Sequence, residues 1–424
     1  MRNALAELAE RGLVAQSTDR EALGAAFAAG PVTYYCGFDP TAPSLHIGNL
    51  VQLLTLRRVQ DAGHRPIAVV GGSTGLIGDP KPNAERTLNT RDTVQAWSER
   101  VRGQVDRYLD FTGANAARVV NNLDWTASLT ALDFLRDVGQ HFRVNRMLAK
   151  EAVSARMAGD TGINYTEFSY QLLQALDYLQ LYREHGCTLQ IGGSDQWGNI
   201  TSGVDLVHRV ERVSVHALST PLVTKADGTK YGKTEGGSVW LDPELTSPYA
   251  FYQFWLNVED GDVVQLLRYY TFRSAEEIAG LAEEVAARPG ARAAQRALAG
   301  DVTTLVHGAD ATRSVEQASA ALFGRGDVLA VDPAVLGAAL ATVPSTTVPP
   351  GAKPSVAELL VATGLAPSLS AARRTIGEGG ASVNNVRVED PAAELDRGLA
   401  VGGRWLVLRR GRRAVGGVEL AAGP

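Results

Sequence analysis

The feature that most constrains this chain is a strand–helix–strand run near its start. Val32-Thr33-Tyr34-Tyr35-Cys36 reads as a strand. A Gly/Pro-containing loop follows, then a helix from about Leu45 to Ala62 with Ser44 as its predicted N-cap. Pro66-Ile67-Ala68-Val69-Val70 is the next strand and ends on Gly71-Gly72. Two β-rich runs joined by a helix form a βαβ unit, whose strands must lie parallel with the crossover packed on one face. The same texture returns at Arg118–Asn122, at Thr188–Ile191 before Gly192-Gly193, and near Val213–Leu218. Residues 1–225 are therefore expected to form an open α/β domain of Rossmann-like type, with a helical insertion over about 125–185 and a helical start over 1–30. Sheets of this kind bind ligands at the carboxyl ends of their strands, where this chain places its glycines and polar residues.

Further along, the texture changes. Residues 226–247 contain a Lys-Tyr-Gly-Lys-Thr run and read as a mobile loop region. Residues 248–325 are rich in Ala, Glu, Arg and Leu at helical spacing and predict a helical domain. Residues 326–352 read as a linker because of Val343-Pro344-Ser345-Thr346-Thr347-Val348-Pro349-Pro350-Gly351. Residues 353–424 form a small basic α+β module. The net charge of −5 conceals an asymmetry: from Ala352 onward the balance is +3, against −8 for the rest. A basic tail on an acidic body suits a polyanionic partner and equally a solvated tail.

Two cysteines, Cys36 and Cys187, exclude a disulfide framework and a thiolate-rich metal site. They suit a reducing, cytoplasmic setting. No apolar run is long enough to span a membrane, and the N-terminal residues lack a signal-peptide core. No His/Cys cluster suggests a protein-held metal.

Four motifs carry chemistry. Pro43-Ser44-Leu45-His46-Ile47-Gly48-Asn49-Leu50 sets a histidine at a helix start, beside backbone N–H groups that favour anions. Lys225-Ala226-Asp227-Gly228-Thr229-Lys230-Tyr231-Gly232-Lys233-Thr234 is suited to a polyphosphate, and equally reads as a solvated loop. Gly192-Gly193-Ser194-Asp195-Gln196-Trp197-Gly198-Asn199 allows close backbone approach, with Asp195 able to accept from ribose hydroxyls or to cap a helix. Tyr170, Gln174 and Asp177 lie at i, i+4 and i+7, on one helix side, as a solvent stripe or a buried polar site.

Taken together, the helix-start His-Ile-Gly, the Gly-Gly-Ser-Asp-Gln-Trp-Gly-Asn run and the Lys-x-Gly-Lys-Thr loop resemble the class I aminoacyl-tRNA synthetases. Tyr34-Tyr35-Cys36-Gly37-Phe38-Asp39-Pro40-Thr41 and Thr166-Glu167-Phe168-Ser169-Tyr170 resemble their bacterial tyrosine-specific members. The tail, with Ala371-Ala372-Arg373-Arg374 and Gly379-Gly380-Ala381-Ser382-Val383-Asn384, resembles the S4 RNA-binding domain.

The resemblance implies activation of L-tyrosine with ATP to tyrosyl-adenylate and pyrophosphate, then transfer to the 3′ end of tRNA(Tyr). It implies a phenol-reading pair, Tyr35 and Asp177, and amino-group contacts from Asp79, Tyr170 and Gln174, with Gln196 near the substrate. Cys36, Gly37, Asp39, Gly48, Gly193 and Asp195 would meet ATP or the adenylate. Thr41, His46, Lys230 and Lys233 would act on the phosphates, with Asn49 standing where the family has the second histidine of His-Ile-Gly-His. Asn49 retains a donor for ribose, so activity is expected to survive. Magnesium would arrive with ATP. Arg373, Arg374, Arg387 and Arg404 would meet tRNA phosphates, and a homodimer would form through the insertion around Trp125–Met157. In-line attack of a carboxylate on phosphorus needs no protein nucleophile, which agrees with the lack of a recognisable Ser–His–Asp or Cys–His set.

Overall fold

The structure, a computed structural model, describes residues 3–81, 85–159, 162–224, 231–234, 237–323, 326–411 and 414–422. It divides into two compact units, Met1–Asp242 with Gln265–Ile278, and Pro243–Val264 with Ala279–Pro424.

The first unit is built on a six-stranded sheet. Its strands are β1 (Gln16–Ser17), β2 (Thr33–Phe38), β3 (Arg65–Val70), β4 (Arg118–Asn121), β5 (Cys187–Gly193) and β6 (His216–Thr220), while the short strands β7 (Lys233–Thr234) and β8 (Gly237–Ser238) pair with each other apart from it. Their spatial order is β1-β6-β5-β2-β3-β4. All neighbours run parallel except β1, which is antiparallel to β6. Inner strands of a parallel sheet are covered on both faces, so they read as continuous apolar runs. Tyr34, Tyr35, Cys36 and Phe38 on β2 and Ile67 to Val70 on β3 are accordingly all buried. The chain leaves β2 towards β3 on one side, while β5 lies on the other, so the crevice between β2 and β5 is the topological switch point.

The helices differ from the sequence reading at three places. Residues 1–30 hold two helices, α1 (Ala4–Glu10) and α2 (Arg20–Ala29), with β1 between them. The break falls at Gly12, whose φ of +75° ends α1, and Asp19 caps α2 by accepting from Glu21 and Ala22 N–H. The next helix, α3 (Ile47–Asp61), starts at His46 and not at Ser44. Ser44 is occupied elsewhere: its hydroxyl donates to Leu45 O and accepts from Gln104 Nε2. The segment read as linker carries a helix, Pro333–Leu340, and a strand, Ser345–Val348. Composition hid them because the strand is short and edged by prolines.

Six more helices frame the site. α4 (Thr74–Ile77) and α5 (Arg91–Val105) follow β3. After β4 comes α6 (Leu123–Thr126) and, later in the insertion, α7 (Glu151–Met157). The 21-residue α8 (Tyr165–His185) begins at the N-cap Asn164 and ends at Gly186, in the left-handed region at φ +60°. α9 (Trp197–Glu211) follows β5. Leu176, Tyr178 and Leu179 of α8 pack with Leu206 and Val207 of α9 and with Tyr35 and Ile67 of the sheet. The rings of Tyr35 and Tyr178 meet edge-on at 5.2 Å, an arrangement worth about 0.5–1.5 kcal/mol beyond burial.

In the second unit, Pro248–Leu256 packs against Ala293–His307 and Ala309–Leu322. A five-stranded sheet has β9 (Ser345–Val348) parallel to β13 (Ala414–Leu420), then β12 (Trp405–Arg410), β10 (Ala381–Val383) and β11 (Val386–Arg387). Asn384 and Asn385, at φ +45° and +66°, form the two-residue turn between β10 and β11. Gly337 is required by closeness: a Cβ there would lie 2.7 Å from the Trp405 indole.

Candidate active site

The strand ends of the first unit gather most of the singled-out residues. Asp177, on the inward side of α8, is buried. Its Oδ1 accepts from Trp125 Nε1 at 3.0 Å and its Oδ2 from Asn122 Nδ2 at 3.0 Å. Burial nonetheless pushes its pKa up to about 7, since two neutral donors offset only part of the lost hydration. Tyr35 is buried on β2, and its hydroxyl has no hydrogen-bond partner among the described residues. Its pKa is raised well above the ordinary value by burial and then by the charge of Asp177. Gln174 Oε1 is likewise buried and unpartnered. An orphaned phenol, an orphaned amide oxygen and a poorly solvated carboxylate are costly to fold around alone; they mark a place where a polar ligand completes the bonding. The Tyr170–Gln174–Asp177 stripe thus faces inward.

A second carboxylate lies nearby. Asp39 Oδ1 accepts from Thr74 Oγ1 at 2.6 Å and Oδ2 from the Tyr170 hydroxyl at 2.7 Å. Burial lifts its pKa to about 6, against the lowering effect of both bonds. Thr74 also accepts from Asn122 Nδ2 at 3.1 Å, so Asn122 links the Asp39 and Asp177 arrangements. Asp79 is held by Gln196 Nε2 at 2.9 Å and Asn199 Nδ2 at 3.1 Å. Its pKa is raised by burial, which outweighs those bonds.

The helix-start motif takes a definite local form. His46 Nδ1 accepts from Gly48 N–H at 3.0 Å, while Asn49 Oδ1 accepts from His46 N–H at 3.1 Å, a reciprocal capping box. Asn49 therefore sets the conformation of His46. Gly48 is exposed, and a Cβ on it would lie 2.8 Å from the His46 ring. Gly232 of the lysine-rich motif lies against this helix start: at φ +86°, a Cβ on it would sit 2.5 Å from Ile47. His46 also forms an antiparallel bridge with Trp240, their rings 6.1 Å apart. The two motifs, nearly two hundred residues apart in sequence, are thus neighbours. Lys230 falls outside the described residues; the backbone of Lys233 lies on the short strand Lys233–Thr234.

On β2, Cys36 is buried and reduced, its thiol pKa pushed up to about 12 by burial, while Gly37 is exposed over open space. Thr41 is exposed, its amide donating to Asp39 O. Gly193 ends β5, where a Cβ would lie 2.7 Å from Asp195 Oδ1, and Asp195 is exposed in the turn Ser194–Gln196 that leads into α9. Three residues at this site escaped the sequence reading. Thr74, Asn122 and Trp125 organise the carboxylates, and only Asn121-Asn122 at a strand end hinted at any of them.

In the second unit, Arg373 and Arg374 project from the helix Leu369–Gly377 and are exposed, as is Arg387 on β11. Arg404 is engaged: it pairs with Glu419 at 2.5 Å and stacks on Trp405, 4.7 Å from the ring centroid.

A parallel sheet with polar groups, a helix N-terminus and a glycine-rich turn at its switch point defines an α/β nucleotide-binding enzyme. The chain belongs to the class I tRNA synthetases of the tryptophan and tyrosine group, whose family model matches residues 28–324. Residues 336–415 match the model of the tyrosine–tRNA ligase SYY-like C-terminal domain. The tyrosine–tRNA ligase of Acidothermus cellulolyticus is 62% identical over 99% of this chain and all of its own length. That of Streptomyces avermitilis is 62% identical over 98% of this chain and 99% of its own. Among solved structures, a C-terminally truncated mitochondrial tyrosyl-tRNA synthetase of Aspergillus nidulans superposes with a TM-score of 0.69 at 29% identity, covering 76% of this chain and 95% of that one.

Proposed function

We propose that this chain is a tyrosine–tRNA ligase: it joins L-tyrosine to ATP as tyrosyl-adenylate, releases pyrophosphate, and transfers tyrosine to the 3′ end of tRNA(Tyr). The observation that carries the amino-acid assignment is the buried Asp177 carboxylate beside the unpartnered Tyr35 hydroxyl. A phenol O–H donates to Asp177, adding a third donor to its carboxylate, and accepts from Tyr35, whose hydroxyl gains the bond that folding left unmade. A phenyl ring supplies neither.

Asp79, Tyr170 and Gln174 hold the substrate ammonium, with Gln196 fixed on Asp79. Cys36, Gly37, Asp39, Gly48, Gly193 and Asp195 form the nucleotide and adenylate contacts. ATP enters as its magnesium complex. The tyrosine carboxylate attacks the α-phosphorus, the bond to the bridging oxygen breaks, and pyrophosphate departs with that electron pair. Thr41, His46, Lys230 and Lys233 stabilise the charge that builds on the leaving group, and Asn49 orients His46. The chain then carries its tRNA on Arg373, Arg374 and Arg387, with a smaller share for Arg404. Exposed Leu132, Leu135, Val144, Met157 and Tyr165 around the insertion suit a homodimer contact. Among the described residues, no helix is long and apolar enough to cross a membrane, and the work of such a ligase belongs in the cytoplasm.

The test is ATP–pyrophosphate exchange with tyrosine, phenylalanine and tryptophan in parallel, followed by charging of tRNA(Tyr). Exchange with tyrosine alone supports the pocket as read. Exchange with tryptophan overturns the Tyr35–Asp177 assignment, and exchange with none overturns the activity.

A further inference from the structure

Behind Asp79 lies an ion pair that the reaction as described does not use. Arg156 on α7 and Glu167 in the first turn of α8 pair at 3.2 Å, their side chains only 3% and 0% exposed. Taking two charges out of water is costly, and well-packed apolar side chains generally serve folding as well or better. What the ions supply is directional bonding to the backbone at Lys81 and Arg86. Glu167 Oε1 accepts from the Arg86 backbone N–H at 3.0 Å and from Arg156 at 3.3 Å. The same Arg156 nitrogen donates to the Lys81 carbonyl at 3.3 Å. Arg86 in turn uses its Nε to hold the Asp79 carbonyl at 2.7 Å. Asn164, the N-cap of α8, donates to Glu167 and to Glu85. Asp79 is thus held from two sides: its carboxylate by Gln196 and Asn199, its backbone through Arg86 by Glu167, and Glu167 by Arg156.

We propose that Arg156 and Glu167 are positioning residues of the amino-acid activation step, fixing the loop of Asp79 so that its carboxylate meets the substrate ammonium. The inference rests on the reading of Asp79 as the ammonium-binding carboxylate. It assigns the pair a role through Asp79, not in contact with substrate. A bond to the ammonium contributes to ground state and transition state alike, so its misplacement raises KM for tyrosine and leaves kcat nearly unchanged.

The experiment compares wild type, Glu167→Gln, and the double variant Arg156→Met with Glu167→Leu in pyrophosphate exchange and thermal unfolding. The double variant replaces the pair by apolar side chains of similar bulk, so the gain from no longer burying two charges offsets the loss of bonds to the Arg86 amide and to the Lys81 and Gly162 carbonyls. It bonds neither the Arg86 amide nor the Lys81 carbonyl. The expected result is a melting temperature within a few degrees of wild type, a tyrosine KM raised roughly tenfold, and a kcat and ATP KM within about threefold of wild type. Glu167→Gln, which keeps an acceptor for Arg86, falls between. A double variant as stable as wild type and with its tyrosine KM assigns the pair to folding alone and overturns the proposal. Should the double variant not fold, Arg156→Lys decides: it keeps the charge but not the forked donors. A raised tyrosine KM together with faster hydrogen–deuterium exchange at Arg86 supports the proposal; faster exchange with unaltered KM overturns it. Wild-type protein inactive with tyrosine refutes the assigned activity instead, and hydrogen–deuterium exchange at Arg86 then decides by itself whether the pair holds the loop.

Discussion

Replacing Asp177 by asparagine tests the electrostatic reading of the pocket through stability as well as activity. In the folded chain the Asp177 pKa is lifted from 3.8 to about 7, chiefly by burial. The folded state therefore keeps its proton over a range in which the unfolded chain has lost it. Where the folded state binds more protons, stability falls as pH rises. The loss runs from the unfolded value to the folded one and then stops, and at 1.36 kcal/mol per pH unit it totals about 4 kcal/mol. Roughly 3 kcal/mol of it falls between pH 5 and pH 8. Asparagine has no such term. It also has one oxygen where two donors, Trp125 Nε1 and Asn122 Nδ2, require acceptors, which costs roughly 1–3 kcal/mol at every pH. The variant should be less stable than wild type at pH 5 and equal or more stable at pH 8. Urea denaturation followed by tryptophan fluorescence, Trp125 being a direct partner, reads the difference at each pH. Asp39 titrates in both proteins, so its contribution largely cancels. A gap between the two proteins that is constant within about 0.5 kcal/mol from pH 5 to pH 8 refutes the reasoning. In exchange assays the variant should lose roughly ten- to a hundredfold in kcat/KM for tyrosine, the worth of a charge-assisted bond, and the wild-type value should rise through about pH 7 as Asp177 ionises.

Two other outcomes follow. Asn49→Ala removes the acceptor for His46 N–H; it should cost about 1 kcal/mol of stability and lower kcat of exchange at saturating tyrosine and ATP, whereas an unaltered kcat removes Asn49 from the catalytic set. The double change Arg373→Ala with Arg374→Ala should leave exchange intact, weaken tRNA charging, and lower the salt dependence of tRNA binding by about one logarithmic slope unit per arginine; an unchanged slope places the tRNA contact elsewhere.

Local chemistry made much of this molecule legible in advance. The alternation of apolar runs and helical periods between Val32 and Val70 dictates a parallel unit, because a single helix can return the chain to a neighbouring strand only by a crossover. The glycines ending β3 and β5 mark the switch-point crevice. The sequence pattern also brought Tyr170, Gln174 and Asp177 to one helix side, since that is a matter of the 3.6-residue period alone. It did not settle whether the side faces water or the core. That depends on what packs against it, and the answer came from Trp125 and Asn122, fifty residues earlier in the chain.

What only the tertiary structure decided is of this kind throughout. No spacing rule joins Gly232 to Ile47. The helix start moved from Ser44 to His46 because Ser44 found bonds outside its own helix. The proline-edged Ser345–Val348 became a strand because β13 offered it a ladder. The sequence by itself determines which residues share a strand or a helix side, since those relations are covalent and periodic. Which carboxylate loses its water, and which ion pair holds a distant loop, depends on contacts between segments that the chain brings together only on folding.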